Sequence, residues 1–245
     1  MVLTTTSIAF ILLSIGLLVC GWWFLQAFRN TDRFKADRRI GFLLSSFFLG
    51  FGFTDGIFGL GAFFFATNSM GLYITLIVYN IFLALLGMLG AYTAYYVFFP
   101  KRSPYALMFL IGLIGVAATA VTILTYPQSF ITTGNSIDTN MSRSLSLLMF
   151  LLLFFSIGAP FYIFSRLFFD AKTFKTKLLS LTISILALAG ILNVFIDLVL
   201  LRDAPINFRT QFQNIIIGGI GAGFIIALVI IPFAKRLFTL QRKKV

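Results

Sequence analysis

Histidine and glutamate are absent from this chain, and cysteine occurs once, at Cys20. Its seven acidic residues are all aspartate: Asp32, Asp37, Asp55, Asp138, Asp170, Asp197 and Asp203. Each absence removes a class of chemistry. Structural zinc sites are built from cysteine and histidine clusters, bis-histidine haem needs two imidazoles, and hydrolytic triads need a histidine base. No cofactor, no metal and no ordinary enzymatic activity is therefore expected. One thiol supports no disulfide framework. Charge is scarce overall, at 11% of residues, against about 25% in soluble domains.

What the chain has is apolar bulk: 60% hydrophobic residues and 32 phenylalanines in 245 residues, with a mean hydropathy of +1.02. A hydrocarbon core about 30 Å thick is crossed by roughly 20 apolar helical residues. Seven uncharged or nearly uncharged runs meet that length, near 7–28, 40–66, 72–99, 105–126, 145–169, 178–200 and 212–233. The expectation is an all-α, polytopic integral membrane protein: one seven-helix bundle forming a single domain over 1–245. The first run has no basic segment before it and is followed by Arg29 to Arg39, which reads as a first span and not as a cleaved leader.

Orientation follows from Lys and Arg, which are retained in cytoplasmic loops. Of the 19 basic residues, only Arg143, Arg202 and Arg209 fall on the side of the even-numbered loops. The remainder flank the other ends, so the N-terminus is expected outside and the C-terminus in the cytoplasm. These charges sit beside apolar spans, where they set topology and attract anionic lipid, so nucleic acid is not an expected partner and the bilayer is. Size and short loops point to a prokaryotic inner membrane. The longest connecting segment, Pro127 to Arg143, is polar, contains Gly134 and Asn135, and is expected outside as a connector or lid.

Helices 1–3 and 5–7 can be laid over one another. Phe24, Phe28, Asn30, Phe34 and Lys35 match Phe164, Phe168, Asp170, Phe174 and Lys175, and Phe53 and Asp55 match Phe195 and Asp197. Asn80, Ile81 and Gly87 match Asn214, Ile215 and Gly221. These correspondences describe a 3+1+3 parallel repeat, a layout found among transporters.

A carboxylate within the bilayer costs several kcal/mol unless it faces a partner or a cavity. Helical spacing puts Asp55 with Gly52, Gly56 and Gly59, and Asp197 with Gly190 and Asn193. It likewise groups Asn80 with Ala84 and Gly87, and Asn214 with Gly218 and Gly221. Counting down from the expected outer ends at about 1.5 Å per residue places Asp55, Asn80, Asn193 and Asp197 in the outer half, with Asn214, Gln211, Gln213, Arg202 and Arg209 just above. A polar pocket opening outward between helices 2, 3, 6 and 7 is expected, with Asp55, Asn80, Asn193, Asp197 and Asn214 as ligand-binding candidates. The competing roles are interhelical hydrogen bonding for the asparagines and simple solvation for Asp197. Pro160 is expected to kink helix 5.

Several short motifs carry a resemblance. The first helix leads into Arg29-Asn30-Thr31-Asp32-Arg33-Phe34, and the third closes with Phe98-Phe99-Pro100. Helix 6 holds Gly190-Ile191-Leu192-Asn193, and Lys235-Arg236-Leu237-Phe238 leaves helix 7. With these the chain resembles the seven-helix N-terminal sensor region of bacterial histidine kinases. In that family helix 7 continues into cytoplasmic signalling helices and a kinase. Here no histidine follows, so the resemblance implies a free-standing sensor-like module acting through a cytoplasmic or membrane partner protein. A retinal pigment is excluded, because the 212–234 stretch lacks the lysine for a Schiff base. The Gly-x-Gly-Asp signature of intramembrane aspartyl proteases is absent before Asp55, and the Pro-Gln signature of 3+1+3 sugar transporters is absent from helices 1 and 5.

The leading expectation is thus a sensor or receptor-like protein that reads a small ligand or ion and signals through a partner. A small-molecule or proton-coupled transporter and an accessory subunit of a membrane complex are the alternatives.

Overall fold

The computed structural model describes residues 3–29, 35–99, 101–125, 130–133, 136–139, 142–171, 174–201 and 205–242. Residues 30–34, Pro100, Gly134, Asn135, Lys172, Arg202, Lys243 and Lys244 lie outside these. Among the described residues there are seven α-helices: α1 Thr5–Arg29, α2 Lys35–Phe64, α3 Ser69–Phe98, α4 Tyr105–Leu124, α5 Arg143–Asp170, α6 Phe174–Phe195 and α7 Ile206–Arg242. A π-helical turn, Ile196–Leu200, continues α6. The first six are long and apolar enough to cross a membrane. The protein is a helical bundle of integral membrane character.

Local chemistry fixes several ends. The Asn68 side chain accepts hydrogen bonds from the backbone N–H groups of Met70 and Gly71, capping α3, and Ser142 accepts from Leu145 N–H to cap α5. At the start of α1, the Ser7 N–H donates to Thr4 Oγ1 at 3.1 Å while Thr4 N–H donates to Ser7 Oγ at 3.1 Å. The helices overrun the apolar runs where polar residues remain good helix formers. Thus α2 begins at Lys35 instead of 40, and α7 extends from Ile206 to Arg242 instead of 212–233. Hydropathy marks the part of a helix that lipid can cover, and helix propensity decides how far it continues.

Six helices close a ring in the order α2, α1, α7, α6, α5, α3 and back to α2. The remaining helix, α4, packs outside it against α3 and α5, and buries the smallest share of its span among the six. Small residues let the backbones approach, which matters where lipid removes the hydrophobic drive between helices. A Cβ on Gly52 would lie 2.9 Å from Leu18 N, and a Cβ on Gly221 would lie 2.6 Å from Leu13 N. Serine hydroxyls fasten the α1–α2 seam: Ser14 Oγ donates to the Gly52 carbonyl at 2.7 Å and Ser45 Oγ to the Gly21 carbonyl at 2.9 Å. Large apolar side chains such as Phe109, Val116, Leu124 and Ile215 face outward, as a lipid-covered surface requires.

Among the described residues the helical bundle carries one short strand pair. Phe130–Thr133 (β1) and Ser136–Thr139 (β2) form an antiparallel hairpin, with Ile131 opposite Asp138 and Thr132 opposite Ile137. The two-residue Gly134-Asn135 connection between β-branched runs is the sequence signal for it. Ile137 is buried against Ala62, Ala66 and Leu72. Thr6 holds the hairpin to α1: its hydroxyl donates to the Ile137 carbonyl at 3.2 Å and accepts from Ile137 N–H at 3.1 Å.

Candidate functional site

A cavity of about 160 Å³ lies inside the ring and is lined by all six ring helices together with Ile137 of the hairpin. On α1 its lining runs from Thr6 to Leu17, on α2 from Phe47 to Phe58, and on α7 from Gln213 to Phe224. Eleven helical positions make it about 16 Å long. At the end far from the hairpin its lining includes Phe48 and Phe224, and Phe24 and Phe164 pack against Phe48. Phe48 stacks on Phe24 at 5.5 Å and contacts Phe164 at 6.0 Å and Phe224 at 6.2 Å between centroids. The walls between are Leu, Ile, Met and Phe, with Pro160 of α5 among them. The α5 helix runs unbroken through Pro160. The missing N–H removes the ladder partner of the Ser156 carbonyl, and the Ser156 hydroxyl bonds the Leu152 carbonyl at 2.8 Å one turn earlier.

Polar groups gather toward the hairpin end. Asp55, 1% exposed, accepts a hydrogen bond from the Tyr79 hydroxyl at 3.4 Å on Oδ1, while its Oδ2 has no partner. Asn193 is buried with an unpartnered Oδ1. One turn further, Asp197 sits in the π-helical turn, which closes with Leu201 N–H donating to the Ile196 carbonyl at 2.7 Å. The wider turn inserts one residue into the helical phase, a distortion common at functional positions. Asp197 is buried, and Arg209 Nε of α7 lies 3.6 Å from its Oδ1. Solvation of Asp197 at an interface is thereby replaced by a buried pair: Arg209 lies one helix turn inside the start of α7, because α7 begins six residues before its apolar run.

Of the five candidates, three line the cavity: Asp55, Asn193 and Asp197. The other two are turned into helix seams. Asn80 Nδ2 donates to Thr122 Oγ1 on α4 at 3.0 Å, and its stripe, with Ala84 and Gly87, packs on α4 and α5. Asn214 Nδ2 donates to the Thr5 and Thr6 hydroxyls at 3.1 and 3.2 Å, and its stripe, with Gly218 and Gly221, packs on α1. Small residues permit close backbone approach, so these stripes face the nearest helix and carry their asparagines with them. The glycines beside Asp55 likewise face α1, and Asp55, three positions from Gly52, reaches past that seam to α3. Periodicity groups residues on a face without saying what the face meets.

Sequence reasoning missed Tyr79, Ile137 and Phe58, and counted neither α1 nor α5 among the pocket helices. The aromatic residues around Asp55 form a continuous array: Phe10 and Phe58 lie 4.6 Å apart at 56°, and Phe58 and Tyr79 5.3 Å apart at 53°. Thirty-two phenylalanines in one chain leave no sequence signal that singles these out. Among the described residues no cluster of three or more Cys, His, Asp or Glu is placed to hold a metal ion. The cavity can therefore enclose a small, mainly apolar molecule and offer hydrogen-bond acceptors to one part of it. No family model, curated protein or solved structure matches the chain.

Proposed function

We propose that this protein is a seven-span membrane sensor or receptor-like protein that binds a small molecule in the central cavity and passes the occupied state to a partner protein. The observation that carries this reading is the one-ended cavity. Its acceptors stand toward the hairpin, and its other end is lined by apolar side chains that include Phe48 and Phe224, against which Phe24 and Phe164 pack. A pocket that is polar at one end and apolar at the other suits recognition, whereas a conduction path needs polar footing on both sides of the barrier. In this reading α7 is the seventh span, the hairpin end faces outside, and the basic ends of α2 and α6 face the cytoplasm of a prokaryotic cell, where a partner reads the change. Asp197, Arg209 and the π-helical turn join the cavity wall to α7, the helix that leads toward that face.

The test is binding with and without flux. Detergent-purified protein is screened by thermal stability against small molecules, comparing wild type with Asp55→Asn, and each stabilising compound is then assayed for uptake into proteoliposomes. Stabilisation that is lost in Asp55→Asn without uptake is the expected outcome. Uptake would replace sensing with transport.

A second reading, transport, is favoured by the ring order. Exchanging α1 with α5, α2 with α6 and α3 with α7 maps the ring onto itself, as a 3+1+3 parallel repeat predicts, and puts the cavity on the axis between the halves.

A further inference from the structure

Asp55 brings a full carboxylate into a cavity that offers it no opposite charge. Among the described residues lining the cavity, the one other charged side chain is Asp197, and Arg209 faces that group at 3.6 Å. Asp55 has the Tyr79 hydroxyl on Oδ1 and nothing on Oδ2, although it is fully buried. A buried acceptor left without a donor costs more than the bond it would make is worth, and an ionised one costs more still. Asn193 adds a second acceptor without a donor to the same cavity. Both vacancies ask for N–H groups.

The surroundings narrow the class. Phe51 and Phe58 share the helical face of Asp55 at positions i−4 and i+3, and Phe10, Phe58 and Tyr79 form tilted neighbouring pairs. Aromatic faces attract cations, most strongly when water is excluded. A hydrated metal ion is a poor fit, because hard cations take six or more oxygen ligands and the walls here are rings and aliphatic chains. An anion is opposed by Asp55 directly. An organic cation meets all three conditions: N–H donors for the carboxylate and amide, positive charge for the rings, and carbon for the remaining walls. Size follows from volume, since an apolar cavity of about 150 Å³ holds a benzene ring and this one measures about 160 Å³.

We infer that the cavity takes a small amphiphilic ammonium ion, a protonated amine carried on one aromatic ring or a short alkyl chain, with the ammonium at Asp55 and the apolar part toward Phe48 and Phe224. The inference rests on the cavity being a binding site, and adds the charge and size of what it binds.

The test uses the full chain in nonionic micelles and three probes of one skeleton: 4-phenylbutylammonium, 4-phenylbutan-1-ol and 4-phenylbutanoate. Dissociation constants are measured by equilibrium dialysis for wild type, Asp55→Asn, Phe58→Leu and the cavity-filling Ala187→Phe, so that micelle partition cancels between proteins. Wild type is expected to bind the ammonium about tenfold or more tighter than the alcohol, and the butanoate weakest. Asp55→Asn abolishes the preference for the ammonium while leaving alcohol affinity within about twofold, and Phe58→Leu weakens the ammonium more than the alcohol. Equal wild-type affinity for ammonium and alcohol, both lost in Ala187→Phe, would overturn the cation assignment and leave the cavity as a binding site. Binding of all three unaffected by Ala187→Phe would overturn both. Retention of the ammonium preference in Asp55→Asn, in protein that still binds the alcohol normally, would also refute it.

Discussion

Replacing Gly221 by alanine adds one methyl group to the seam where α7 crosses α1. A Cβ there would stand 2.6 Å from Leu13 N and 2.7 Å from both Leu12 C and Leu13 Cα. These are backbone atoms of a packed helix and cannot rotate away, so α1 must retreat by roughly 0.8 Å to restore ordinary van der Waals separation. Overpacking of this kind costs about 1–3 kcal/mol, and the helix-propensity gain of alanine over glycine returns up to about 1 kcal/mol. The net expectation is a loss of about 1–2 kcal/mol. The same helix supplies its own control: a Cβ on Gly219 meets nothing within 4 Å, so Gly219→Ala keeps the propensity gain without the clash.

Cys20 provides the assay. It is the chain's one thiol and is fully buried in the core beside α2, so a thiol-reactive fluorophore added during a thermal ramp labels the protein only as the bundle opens. Gly221→Ala is expected to lower the apparent midpoint by about 3–6 °C and Gly219→Ala to leave it unchanged or raise it slightly. A Gly221→Ala midpoint equal to or above that of Gly219→Ala would refute the close α1–α7 approach on which the ring order depends.

Other perturbations address the site. Arg209→Gln leaves Asp197 buried beside a neutral group and should destabilise by about 2–4 kcal/mol, with much of the loss recovered in Arg209→Gln combined with Asp197→Asn; a double-mutant cycle on labelling midpoints gives the coupling, and additivity would contradict the pairing. Ile137→Ala removes the hairpin's buried anchor and is expected to cost about 2–4 kcal/mol locally and to speed dissociation of any cavity ligand, read by stopped-flow displacement; unchanged dissociation would show that ligands leave elsewhere. Thr122→Val deletes the acceptor for Asn80 and should cost about 1 kcal/mol while leaving ligand affinity intact, because that bond belongs to the α3–α4 seam. An altered ligand affinity in Thr122→Val would return Asn80 to the site.

The sequence made the helices legible because lipid imposes a coarse demand: some 20 apolar positions without charge, whatever the neighbours. It also singled out Asp55 and the α6 stripe of Gly190, Asn193 and Asp197, since a polar group in an apolar helix is conspicuous by itself. It could not sort Asn193 from Asn80 and Asn214. All three ride small-residue stripes, and only the neighbouring helix decides whether such a stripe becomes a seam or a wall. Ala84 meets Gly115 of α4 and Gly221 meets Leu13 of α1, whereas a Cβ on Gly190 would meet nothing nearer than Ile157 at 3.5 Å, and Gly190 lines the cavity. The π-helical turn was hidden for a related reason. Ile196–Leu200 reads as ordinary helix, and its extra residue per turn is apparent only from the backbone hydrogen bond to Ile196. The aromatic surroundings of Asp55 were lost in plenty, since phenylalanine is everywhere in the chain.

The outlying α4 has a consequence in parity. Successive helices of the bundle alternate direction, so α1 and α5 point the same way because an odd number of helices, α2 to α4, turns the chain back between them. Take α4 away and α5, α6 and α7 would run in reversed directions relative to α1, α2 and α3. The pairing of α1 with α7 and of α5 with α3 would then be lost, because each joins helices that must run parallel. A helix that touches the cavity nowhere is thus the one that decides whether the six others can enclose it.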